Sequence, residues 1–95
     1  AVVTDTAFQN KAAGDYQSYD GSKVITLNSD LTVTTKNTQD YYKWELIAKP
    51  EGDQTIILLD RKGVDKDIQT QVQIDVAEGM MVVNNETFRK KQEAK

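Results

Sequence analysis

Residues 68–76 alternate strictly between two kinds of side chain, and this pattern constrains the fold more than any other feature. Gln69, Gln71, Gln73 and Asp75 are polar, whereas the positions between them are apolar or β-branched. Successive side chains of a strand point to opposite faces, so alternation over this length indicates a half-buried strand. The same spacing does not fit a helix, whose apolar positions recur every three to four residues.

Other segments rich in β-branched and aromatic residues repeat this signal between short turns. They span residues 23–27, 31–35, 41–48, 54–60, 80–83 and 86–89. Consecutive strands joined by a few residues are usually antiparallel neighbours, and closing them into a barrel removes exposed edges. The sequence therefore predicts one mainly β domain over residues 1–95. Residues 15–89 form a small antiparallel up-and-down meander or barrel of seven to eight short strands.

The first 14 residues predict a short helix or arm instead. Asp5 and its threonine neighbours suit a helix start, and Gly14 suits a stop, so we expect a helix over residues 5–13. Phe8 and Ala12 lie one turn apart on one face, and a helix this short persists only if that face packs against something. At the other end, residues 90–95 are charged and are expected to fray.

The strand at residues 54–60 predicts where that helix packs. Ile56 and Leu58 lie on one face, and Ile57 and Leu59 lie on the other. A strand with one solvated face does not need two apolar faces. We therefore expect the face with Ile57 and Leu59 to lie outside the barrel interior and the N-terminal helix, through Phe8, to cover it.

Composition excludes several function classes. The protein has no cysteine and no histidine, so it cannot hold a disulfide, a Cys/His zinc site, a cysteine nucleophile or a histidine acid–base pair. We expect no enzyme activity, no catalytic residue, no cofactor and no tight transition-metal site. The formal charge of −3 argues against nucleic acid as a partner, and no apolar run approaches the roughly 18 residues of a transmembrane segment.

The aromatic residues provide the candidate contact residues. Alternation through residues 41–48 predicts Tyr42 and Trp44 on the buried face and Tyr41 on the outside. Aromatic side chains suit both apolar ligands and protein partners. The sequence predicts a ligand or partner surface that includes Phe8, Tyr16, Tyr19 and Tyr41.

Several short motifs resemble small bacterial lipocalin-like (calycin-type) β-barrels. Residues 14–16 (Gly-Asp-Tyr) resemble the Gly-x-Trp/Tyr that opens such barrels after a short helix, and residues 24–34 resemble their second hairpin. Residues 42–46 are similar to the next strand, with Tyr42 where glycine is usual, and residues 84–91 are similar to the last strand. Members of this group include bacterial envelope lipoproteins and secreted or periplasmic proteinase inhibitors. The lipoproteins that sense copper carry a Cys-x-x-Cys motif after the first strand, which residues 19–22 lack, and the disulfide that is common in the inhibitors is also missing.

This resemblance implies a barrel, and a bacterial envelope-associated, periplasmic or secreted protein. We expect a non-enzymatic binding or scaffold domain that acts through an unidentified protein partner, as a monomer or a homodimer. One alternative is a secreted proteinase inhibitor that presents its N-terminal segment. Another is a carrier of a small apolar ligand that uses the barrel mouth around Tyr16, Tyr19 and Tyr41.

Overall fold

A computed structural model describes residues 4–50 and 52–90 of the protein. One short helix precedes eight strands in these residues. In sequence order they are α1 (Thr6–Ala12), β1 (Gly14–Gln17), β2 (Val24–Leu27), β3 (Val33–Lys36), β4 (Tyr41–Leu46), β5 (Gln54–Arg61), β6 (Ile68–Asp75), β7 (Met80–Val83) and β8 (Glu86–Lys90).

The eight strands form one antiparallel sheet that is nearly closed into a barrel. The spatial order is β3-β2-β1-β8-β7-β6-β5-β4, so β8 returns to pair with β1. The two outer strands, β3 and β4, meet through a single bridge between Thr32 and Lys43 and a 2.9 Å hydrogen bond from the Trp44 N–H to the Leu31 carbonyl. The predicted mainly β meander with a short N-terminal helix is confirmed.

Large side chains fill the barrel interior. Trp44, Tyr16 and Phe88 are the largest of the fully buried residues, and aliphatic side chains from strands β2 to β7 pack in the same core. An eight-stranded barrel is just wide enough for its own side chains. The predicted burial of Trp44 is confirmed, since the residue has 0% exposure.

Helix α1 closes one end of the barrel. The Asp5 carboxylate caps it by accepting the Phe8 N–H at 3.0 Å, and Phe8 and Ala12 join the same core as the strands. The Gln9 side-chain amide donates to the Ser29 carbonyl in the β2–β3 turn at 2.9 Å. We call this the capped end, and the end that holds the β1–β2 and β3–β4 connections the far end.

The prediction that α1 covers the outer face of β5 was wrong. Ile57 and Leu59 point into the barrel and are fully buried, whereas Ile56, on the outer face, keeps 41% of its surface exposed. The physical reason is connectivity, because α1 runs into β1 through Ala13 alone. In the closed order β1 and β5 are four strands apart, on opposite walls of the barrel.

The predicted faces of the two neighbouring tyrosines in β4 were also wrong. The pairing of β4 with β5 shifts register between Tyr41 and Lys43, which is the signature of a β-bulge. Tyr41 is therefore buried in the core together with Trp44, and Tyr42 is half-buried on the outside. Lys90, predicted to start a frayed tail, belongs to β8, and the rest of that tail (residues 91–95) lies outside the described residues.

Candidate functional site

The structure does not bring the four predicted contact residues together on one surface. Phe8, Tyr16 and Tyr41 belong to the core, and Tyr19 alone is fully exposed, in the β1–β2 connection. The Tyr16 hydroxyl donates to the Ala12 carbonyl at 2.7 Å, and burial raises the pKa of this phenol well above its usual value. A molecule that approaches the surface can thus contact only Tyr19 among these four side chains.

The outer wall carries a band of exposed and half-buried apolar side chains that is divided by the glutamines of β6. We call it the outer strip. Its β5 and β7 members point outward because the residues next to them in each strand, Ile57 and Met81 among them, are buried in the core. The strip consists of Ile47, Ile56, Leu58, Met80 and Val82.

Strand pairing places the β5 and β7 members of the strip on either side of the β6 glutamines. Ile56 of β5 pairs with Gln73 of β6, which pairs in turn with Val82 of β7. Ile47 follows Leu46, which pairs with Ile57, and it is 46% exposed. Two shallow depressions share Ile56, Gln73 and Val82 among their lining residues.

The polar groups along the strip are mainly amides. Gln69, Gln71 and Gln73 run along the outer face of β6 and are all exposed. Charged groups border the strip, since Glu45 pairs with Leu58 and Asp75 pairs with Met80, whereas Ile56, Gln73 and Val82 form an uncharged centre. Apolar area next to uncharged hydrogen-bonding groups is typical of the centre of a protein–protein interface. The strip can therefore bury apolar area and exchange hydrogen bonds without desolvating a charge at its centre.

A buried carboxylate lies beside the strip, on β5. Asp60 points outward, yet neighbouring side chains leave it only 1% exposed. Its Oδ2 is 3.5 Å from the Lys43 ammonium, whereas its Oδ1 is buried without a hydrogen-bond partner. Burial raises the pKa of the Asp60 carboxyl to about 6, the nearby Glu45 carboxyl adds to this, and Lys43 opposes it. Gln69 donates to Glu45 from the other side at 3.2 Å.

Next to this carboxylate, Tyr42, Lys62 and Asp67 form a second polar cluster in which the charges of Lys62 and Asp67 offset each other. The Tyr42 hydroxyl donates to Asp67, which raises the pKa of Tyr42 to about 12, and the Lys62 ammonium lies 4.6 Å from the centre of the Tyr42 ring. Lys62 is also 3.8 Å from the Asp67 carboxylate. Within the described ranges, no group of three or more His, Cys, Asp or Glu side chains is arranged to hold a metal ion. The Asp60 carboxylate can take up a proton, and the Lys43 ammonium already occupies the place beside it that a bound cation would take.

We expect Asp60→Asn to stabilise the protein at neutral pH by roughly 1–3 kcal/mol. A carboxyl whose pKa rises from 3.8 in the unfolded state to about 6 in the folded one binds more protons when folded between these values. The free energy of unfolding should therefore fall as pH rises through this window, and the asparagine variant should lose that slope. Urea unfolding of both proteins at about pH 4 and pH 7 measures the effect.

Asp75→Asn is a control of opposite sign. The Glu78 N–H, the Gln54 side-chain amide and the Ala77 N–H donate to Asp75 and lower its pKa, so its contribution to stability is present above about pH 4 and is lost in more acidic solution. This substitution should lower stability at neutral pH. If both variants change stability in the same direction at pH 7, the conclusion that ionised Asp60 destabilises the folded protein is wrong.

The sequence contained a signal for the outer strip but none for the buried carboxylate. The two apolar faces of residues 54–60 indicated a surface that needs cover, although the predicted cover was wrong. An aspartate at the end of a strand gives no such signal, because its burial depends on Lys43 and Gln69, which reach it from β4 and β6.

Fold and surface together define a small, nearly closed antiparallel β-barrel with a helix at one end and an exposed apolar strip on its wall. No protein-family model, curated protein or solved structure matches this sequence. No helix in the described part of the protein is long and apolar enough to cross a membrane.

Proposed function

We propose that this protein is a non-enzymatic binding domain that acts through a protein partner, and that the partner docks on the outer strip. The observation that carries the proposal is the exposure of Ile56 on β5 and of Ile47 directly after the paired end of β4, 41% and 46%. Adjoining apolar side chains on a surface mark an interaction site more often than scattered ones do. The partner that fits is a folded protein with an apolar, uncharged contact surface.

The energetics of such an interface rest on few side chains. Burying the exposed parts of Ile47 and Ile56 contributes about 1 kcal/mol each, since full burial of such a side chain is worth roughly 1.5–3 kcal/mol. The glutamines of β6 offer donors and acceptors to the same partner. A substitution at the centre of the strip should consequently remove much of the affinity.

The barrel interior supports a protein partner over a small apolar ligand. Trp44, Tyr16 and Phe88 fill the centre of the barrel, which is the space that a ligand-carrying barrel keeps open for its ligand. The finer proposal, an envelope-associated or secreted bacterial protein of the lipocalin-like group, rests on the motifs at residues 14–16, 24–34 and 42–46, and a nearly closed barrel is compatible with it.

Ile56→Asp should weaken partner binding at least tenfold, which corresponds to about 1.4 kcal/mol. The reason is that a carboxylate at the centre of the strip must lose its hydration when the partner docks. A photo-crosslinking amino acid at position 56 first captures the partner from the source cells. Calorimetry with the purified partner then compares the native protein with the variant, and sedimentation of the domain alone detects a second copy as the partner.

Val64→Asp is the matched control, because Val64 is fully exposed in the β5–β6 connection and lies outside the strip. Its affinity should equal that of the native protein. Equal affinity of Ile56→Asp and the native protein would show that the partner binds elsewhere. Equal far-UV spectra of the three proteins ensure that folding is not the cause.

A further inference from the structure

The join between β1 and β8 is short, and it opens into a wedge toward the far end. Only two residue pairs connect these strands, Tyr16 with Lys90 and Gln17 with Arg89. The pairing with β8 ends at Gln17, whereas the Ser18 N–H continues the pairing with β2 by donating to the Lys23 carbonyl at 2.9 Å, at the base of the β1–β2 turn. A concavity lies between this turn and β8, lined by Gln17, Ser18, Tyr19, Asp20, Gly21, Thr87, Arg89 and Lys90.

The edge of β8 inside this wedge presents an unpaired peptide group. The Lys90 N–H donates to the Gly79 carbonyl, on the side of β8 that faces β7. Successive residues of a strand direct their N–H and C=O groups to alternate sides, so those of Arg89 and Thr87 face β1. Arg89 has Gln17 opposite it, whereas Thr87 is exposed and has no strand partner on that side in the described residues.

The side chains around this edge offer a cation and an aromatic ring. Arg89 is exposed and forms no ion pair with any described residue. Asp20, the acidic residue of the wedge, is held by the Ser18 and Ser22 hydroxyls at 2.9 and 2.7 Å. Lys90 is also engaged, since its ammonium donates to the Lys11 carbonyl at 2.7 Å. The charge left available to a ligand is the Arg89 guanidinium, and the fully exposed Tyr19 lines the same concavity.

We propose that this wedge binds an extended peptide segment that carries a carboxylate. The peptide adds to the free edge of β8 by exchanging hydrogen bonds with the Thr87 N–H and C=O, as in other cases of strand addition. Its carboxylate pairs with Arg89, whose planar guanidinium suits two-point contact with a carboxylate. Tyr19 packs over the peptide. This site is separate from the outer strip and does not depend on the function proposed for it.

The expected affinity is weak, since one free peptide group and one solvent-exposed ion pair make up the site. Binding in the millimolar range suits a contact that adds to a larger interface. The carboxylate can come from an acidic residue or from the C-terminus of a polypeptide, and the two sources share the same chemistry.

Backbone amide shifts of the full-length protein in solution, measured by NMR, test the proposal with three short probes. N-acetyl-alanyl-aspartyl-N-methylamide has its carboxylate on the aspartyl residue, N-acetyl-alanyl-alanine has a terminal one, and N-acetyl-alanyl-asparaginyl-N-methylamide has none. At least one of the charged probes should cause saturable shifts confined to residues 17–21 and 87–90, with a downfield shift of the Thr87 amide proton. The neutral probe should bind at least fivefold more weakly, and the probe that binds more tightly identifies the source.

Variants of Arg89, Tyr19 and Arg61 complete the test. Arg89→Gln should weaken the charged probes at least fivefold, and Tyr19→Ala should weaken all three, whereas Arg61→Gln on β5 should change nothing. Tyr19 and Arg89 are exposed, so folding should survive both changes. The proposal is overturned by an absence of saturable shifts, by shifts outside the wedge, by equal binding of the neutral probe, or by unchanged binding in Arg89→Gln.

Discussion

Replacing Trp44 with alanine is expected to lower the free energy of unfolding by about 3–5 kcal/mol. The indole is fully buried, and its Nε1–H donates to the Asn28 carbonyl in the β2–β3 turn at 2.9 Å. It also stands at the seam of the barrel, where its backbone N–H donates to Leu31. Small domains have only about 5–15 kcal/mol of net stability, so the loss is a large share of the total. Urea unfolding followed by far-UV circular dichroism measures it.

Trp44→Phe separates the two contributions of the indole. Phenylalanine keeps most of the buried apolar area and loses the hydrogen bond to Asn28, so the cost should be about 1–3 kcal/mol. In the native protein the tryptophan emission should be blue-shifted and poorly quenched by iodide. An alanine variant within about 1 kcal/mol of the native protein, on the scale set by cavity-forming substitutions, would refute this account of the seam.

Phe8→Ala is expected to lower the free energy of unfolding by about 2–4 kcal/mol and to release α1 from the barrel. A seven-residue helix cannot persist alone, and Phe8 and Ala12 are its apolar contacts with the core. Chemical denaturation measures the loss. Hydrogen exchange should show that the amides at the C-terminal end of α1 lose protection more than those of β5 and β6 do.

Lys11→Ala is the control on the same helix, because the Lys11 side chain is exposed. It should change stability by no more than about 0.5 kcal/mol. If Phe8→Ala has an equally small effect, α1 is not a structural plug. Its sequence would then be available to insert into a partner, and the proteinase-inhibitor prediction would gain support. Exposure of apolar surface in Phe8→Ala should occur at the capped end rather than around Ile57 and Leu59.

Local pattern was sufficient to predict the helix and strands β2 to β8, whereas β1 was indicated by the resemblance of residues 14–16 to a barrel-opening motif. The alternation of residues 68–76 matches β6, and the turn signals at residues 20–21 and 28–30 fall between strands in the structure. These features depend on neighbours one to four positions apart, so a single sequence carries them in readable form. The helix cap at Asp5 is equally local, since the carboxylate binds the N–H of Phe8, three residues on.

The candidate contact surfaces were decided by contacts between residues far apart in sequence. A bulge between Tyr41 and Lys43 exchanged the predicted places of Tyr41 and Tyr42, and such a register shift arises only when β4 pairs with β5.

By itself, then, the sequence determined a mainly β protein of seven to eight short strands with a short N-terminal helix, and it excluded cysteine and histidine chemistry. The tertiary structure alone decided that the helix closes one end of the barrel and that Ile56 is exposed on the wall opposite β1. It also decided that Asp60 is buried beneath Lys43 and its neighbours, and that Thr87 lacks a strand partner on one side within the described residues. The physical reason is that strand order, closure and register depend on pairings between distant residues, whereas alternation and capping depend on adjacent ones.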